Sequence, residues 1–131
     1  MDVYALLVTH LSTVLGVGAV SVAFDHEAVE RVVWNGSAAV FLESAGPARR
    51  GPAWQGLGVD VVGVDVSVVV SREADFDRQA GALIARRVRA ALNDFREGAA
   101  RAIEVSRPER WPDINQKTRR YGMTVEVAVP A

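Results

Sequence analysis

Val59-Asp60-Val61-Val62-Gly63-Val64-Asp65-Val66-Ser67-Val68-Val69-Val70 is the stretch on which the fold of this chain turns. Side chains in a strand repeat every two residues, so Val62, Val64, Val66, Val68 and Val70 share one face. A strand this apolar on one side needs a cover. The stretch from about Asp77 to Glu97 supplies one: Ala80, Ile84, Val88, Ala91, Leu92 and Phe95 recur at the three- and four-residue spacing of a helix face. Asp75 or Asp77 is placed to cap that helix, and Gly98 to end it. Tyr121, Met123, Val125, Val127 and Val129 then alternate with Gly122, Thr124, Glu126 and Ala128, the pattern of an antiparallel strand with one solvated face. The shared periods predict that Val64, Val66, Val68, Ile84, Val88, Leu92, Val125 and Val127 are buried together.

Upstream, Val3, Leu6, Leu7, Leu11 and Val14 predict a first helix to Leu15, with Asp2 at its N-cap and Gly16 and Gly18 as its stop. Ala19 to Phe24 reads as a short strand, and Asp25-His26-Glu27 as a polar turn. Val32 to Trp34 reads as a brief extended piece before the Asn35-Gly36 turn. Ser37 to Glu43 is apolar on both faces and reads as a central strand. Two irregular segments, Ser44 to Gly58 and Ser106 to Thr118, are rich in Gly, Pro and Arg. A short strand, Ala102 to Val105, precedes the second. The expected architecture is α+β: a mainly antiparallel sheet of four to five strands with two helices packed on one face, in one domain over residues 1–131.

Composition narrows the function classes. The chain has 131 residues, a net charge of −1 and no cysteine. Near-zero charge argues against a dedicated nucleic-acid binder, and the lack of cysteine excludes disulfides and thiolate metal sites. The first residues do not read as a signal peptide, because Asp2 stands where a basic segment belongs. No apolar run is long enough to span a bilayer, so the chain reads as soluble and intracellular at synthesis, with no membrane partner.

Candidate chemistry is sparse. Asp60 and Asp65 differ by five positions and point to opposite strand faces, so they do not form a carboxylate pair. Asp25, His26 and Glu27 diverge along an extended chain, and only one other histidine exists, His10, which reads as a partly buried spacer on the first helix. No catalytic residue, metal site or cofactor is expected. Arg86, Arg87 and Arg89 form a basic patch on the long helix, with Arg78 and Arg96 nearby. The most suggestive residues lie in the irregular segments: Arg49, Arg50 and Trp54 in one, Arg107, Arg110 and Trp111 in the other. Trp and Arg are the types most enriched at interface hot spots, so these six are the candidate oligomer or docking residues. The opposing reading folds each tryptophan back onto the sheet.

The order of elements resembles the phage tail terminator, or tail-completion, proteins. The resemblance lies in Asp2 to Leu15, the Ala38-Ala39-Val40-Phe41-Leu42 strand, the Val59 to Val70 strand, the Ala82 to Leu92 helix and the closing Tyr121 to Val129 strand. It is one of pattern and covers most of the chain. It implies a non-enzymatic structural virion protein that forms a hexameric ring. Such a ring caps the tail tube at its head-proximal end and helps join tail to head. The implied partners are further copies of the chain, the tail tube protein and a head–tail connector or neck protein. DNA would pass through the ring lumen without specific binding. The implied location is the virion tail, with assembly in the host cytoplasm. Two alternatives stand beside this: another neck or baseplate component of a phage tail or contractile injection system, and a small α+β enzyme or ligand-binding domain.

Overall fold

A computed structural model of the chain describes residues 2–15, 20–22, 26–35, 38–50, 59–73 and 80–130, with the backbone only at residues 26, 33–35, 49–50 and 80. The elements are α1 (Val3–Leu15), β1 (Val20–Val22), α2 (His26–Asn35), β2 (Ala39–Ser44), β3 (Arg49–Arg50) and β4 (Val59–Ser71). They continue with α3 (Ala80–Asn93), β5 (Arg96–Glu97), β6 (Ala100–Val105), β7 (Glu109–Trp111) and β8 (Thr118–Pro130). The strands form one sheet in the order β1-β2-β4-β8-β6-β5, with β3 added beside β4 and β7 beside β8. The sheet curls into a half-barrel. Its backbone is the antiparallel β4–β8 ladder, which runs in unbroken register from Val59 opposite Pro130 to Ser71 opposite Thr118.

This corrects the expected architecture. The sheet is larger than four to five strands, and it is mixed, because β1 pairs parallel with β2. A parallel pair needs a crossover, and α2 is that crossover. Residues 26–35 were expected as a turn and an extended piece. Their β-branched Val32-Val33 pair suggests a strand, yet buried Ala28, Val29 and Val32 follow helical spacing through the charged residues between them. The helix therefore wins, because it buries that stripe on the sheet while Glu27, Glu30 and Arg31 stay exposed.

Each face of the sheet has its own core. On the first, α1 and α3 cover Val40 and Leu42 of β2, Val64, Val66, Val68 and Val70 of β4, and Met123, Val125, Val127 and Val129 of β8. The core expected from the periodicities lies here. Seven of its eight residues are buried, and Ile84 packs partly buried against them. Asp2 caps α1 as expected, its Oδ1 accepting from the Ala5 amide at 3.1 Å. The buried stripe of α1 is Val3, Leu7, Leu11 and Leu15, whereas Val14 is 53 % exposed. His10 is half-buried and ties α1 to α3: its Nε2–H donates to the Ala91 carbonyl at 2.7 Å, and its ring meets Phe95 edge-on.

On the second face α2 covers only one end, where Ala28, Val29 and Val32 meet Ala39, Phe41 and Val69. Ile114, far along the chain, completes that cluster. The α3 helix ends at Asn93, earlier than expected, and Arg96–Glu97 pairs with β6 instead of extending the helix. Gly98 consequently does not stop the helix. It sits at φ +60° in the tight turn between β5 and β6, a left-handed position that glycine adopts without a Cβ penalty.

Candidate functional site

The segment from Ser106 to Thr118 is not an irregular loop on the surface. Glu109–Trp111 forms β7 and pairs antiparallel with β8, Glu109 opposite Gly122 and Trp111 opposite Arg120. The reason is visible at Gly122. A Cβ there would stand 1.8 Å from Cδ2 of Trp111, so the indole lies directly on the glycine backbone. Only a residue with no side chain leaves room for that contact.

Charge and hydrogen bonds fix the rest of the segment. The Arg120 guanidinium lies over the Trp111 ring, 5.1 Å from its centroid. The Arg120 Nε is buried with no oxygen or nitrogen partner among the described residues, and cation–π attraction from the indole stands in for one. On the other side of β7, Arg110 lies 5.4 Å over the Tyr121 ring, and its Nη2 donates to both carboxylate oxygens of Asp113, at 2.9 and 3.2 Å. Asp113 Oδ1 also accepts from the Arg120 amide at 3.2 Å. Asn115 Oδ1 accepts from the Lys117 amide and from the hydroxyl of buried Thr118, which closes the turn into β8.

Arg107 and Pro108 lie between β7 and Ser106, whose amide donates to the Thr124 carbonyl at 2.9 Å and whose Oγ accepts from the Thr124 amide at 2.8 Å. They border an open cleft of about 440 Å³ whose described walls are Arg86, Arg89, Ala90 and Asn93 of α3 with Arg107 and Pro108. Positions 86, 89, 90 and 93 lie on one helix face, beside the stripe of buried Ala85, Val88 and Leu92. Arg89 is fixed in place: its Nε donates to the Ser106 carbonyl at 3.1 Å and its Nη2 to the Val105 carbonyl at 3.2 Å. Arg86 and Arg107 are exposed. Three arginines thus line an open cleft that carries no carboxylate among its described residues.

The six candidate interface residues do not form one site. Arg49 and Arg50 lie in β3 opposite Val61 and Asp60, and Trp54 lies outside the described residues. Val61 pairs with Ala128, whereas Trp111 pairs with Arg120. At the usual rise per strand residue, those two β8 positions stand about 26 Å apart. Arg107 joins the cleft, Arg110 is engaged with Asp113 and Tyr121, and Trp111 is half-buried on the sheet. Reading the helix patch and the second loop separately missed that the arginines of one and Arg107 of the other converge. For β7, the signal available in the sequence was Gly122, the one residue without a side chain in the middle of an otherwise well-patterned strand.

Of the two aspartates in β4, Asp65 accepts a hydrogen bond from the Thr124 hydroxyl at 2.7 Å on the second face. Asp60 pairs with Val129, whose side chain belongs to the first core, so the two carboxylates point to opposite faces. Among the described residues, no group of three His, Cys, Asp or Glu side chains is arranged to hold a metal ion. No helix among them is long and apolar enough to cross a membrane. The sequence matches no protein-family model and no curated protein.

Proposed function

We propose that this chain is a structural, ring-forming assembly protein of the phage tail terminator kind. In this reading it caps the tail tube at its head-proximal end and joins tail to head, working without catalysis in the virion tail. The observation that carries the reading is the asymmetry of the two sheet ends. At one end β1 is the terminal strand, and Val22 within it is 53 % exposed, with Val14 of the adjoining helix equally so. At the other end β5 pairs with only Ala100 and Arg101 of β6. Unlike ends on a rigid curled sheet suit a head-to-tail contact, and such contacts close into rings when the rotation per subunit allows it. The α3–sheet interface supports a scaffold role as well, since Ala85, Val88 and Leu92 are wholly buried in it.

Native mass spectrometry of the full chain over a range of concentrations tests the reading. A single closed oligomer, with six copies on the family analogy, is the expected result. Val22→Lys should return it to a monomer with unchanged circular dichroism, because a charge on the exposed terminal strand blocks pairing with a second chain. A wild-type chain that stays monomeric throughout would overturn the self-assembling ring.

A further inference from the structure

We propose that the arginine cleft between α3 and the Ser106–Pro108 bend is a phosphate-binding site. Its six described wall residues include three arginines, an asparagine and two small apolar residues, Ala90 and Pro108. The volume of about 440 Å³ falls in the range of small-ligand sites. Arg86 and Arg89 stand three positions apart on one helix, where like charges repel, and Arg107 brings a third positive charge from another element. A bound anion removes that repulsion. Arg89 is already oriented by the Val105 and Ser106 carbonyls, and these occupy two of its five N–H donors. The donors that remain need no reorganisation to meet a ligand.

Geometry selects the kind of anion. A carboxylate saturates one guanidinium fork through a bidentate pair and leaves the other two unmatched. A tetrahedral phosphate, with up to two negative charges and oxygens pointing in several directions, can accept from forks that approach from α3 and from the bend together. The phosphate belongs either to a free phosphorylated molecule or to a nucleic-acid backbone. Both offer the same group to the cleft, and the site is independent of whether the chain forms a ring.

Isothermal titration of the full chain with inorganic pyrophosphate tests this, with malonate and a short DNA duplex as parallel arms. Saturable pyrophosphate binding at one site per chain is expected, weakening as salt is raised. Arg86→Ala and Arg107→Ala should each lower the affinity about tenfold, as loss of a charge-assisted hydrogen bond does. Both positions are exposed, so the variants should keep the wild-type circular dichroism spectrum. Arg31→Ala, on exposed α2 surface, should bind as wild type does. Duplex binding that pyrophosphate displaces assigns the site to a phosphodiester backbone, and pyrophosphate binding without duplex binding assigns it to a free phosphorylated ligand. Absence of saturable binding, equal weakening by Arg31→Ala, or malonate binding as tight as pyrophosphate would each overturn the phosphate site.

Discussion

The two faces of the sheet are built by different rules. The first is closed by α1 and α3, and its buried cluster is aliphatic stripes of helix and strand packed on one another. The second is closed piecemeal: α2 covers one end, Ile114 and Trp111 return from a distant segment, and the centre at Gly63, Asp65, Thr124 and Glu126 remains half-exposed. The contrast teaches where stability and where specificity reside. A uniform aliphatic layer supplies most of the burial and tolerates little truncation. The irregular face depends on single fitted contacts, such as Trp111 on Gly122.

Substitutions can separate the two. The largest effect belongs to the first face. Leu92 is wholly buried there, so Leu92→Ala should cost about 2–5 kcal/mol in denaturant unfolding. A loss below about 0.5 kcal/mol would place Leu92 outside the core. At the cleft the expected loss is smaller. Arg89→Ala removes the donors to the Val105 and Ser106 carbonyls, which water can then reach, and should cost about 1 kcal/mol. An unchanged midpoint would mean that those bonds contribute nothing net. Smallest is Leu83→Ser on the outer side of α3, where Leu83 is 55 % exposed. Its unfolding free energy should change by less than about 0.5 kcal/mol, and a larger loss would show that Leu83 is covered in solution.

The same contrast decides how much was legible in the sequence. Val64, Val66, Val68, Val88, Leu92, Val125 and Val127 were readable because strand and helix periods place each of them without knowledge of the partner. The α2 helix was misread because its stripe, among the described side chains, is Ala28, Val29 and Val32, and the adjacent valines carry a competing strand signal. Strand β7 was missed because Glu109-Arg110-Trp111 has no apolar alternation. Its pairing is specified by Gly122 on the partner strand, a non-local cue. The sheet grew beyond five strands for the same reason, since β3, β5 and β7 are two or three residues long and exist only through their neighbours. Of the site, the arginines on α3 and Arg107 were each singled out, but their shared cleft depends on where the chain after β6 turns, which no local period specifies.

The docking of β7 on β8 is the central claim, and a double-mutant cycle between Gly122 and Trp111 tests it most directly. Gly122→Ala in the wild-type background should cost about 1–3 kcal/mol, because the new methyl must displace the indole. In the Trp111→Ala background the same change should cost close to nothing, giving a coupling within the 0.5–3 kcal/mol known for residues in contact. Equal costs in both backgrounds would contradict the account: Trp111 would not rest on Gly122, and β7 would not be held on β8 as described.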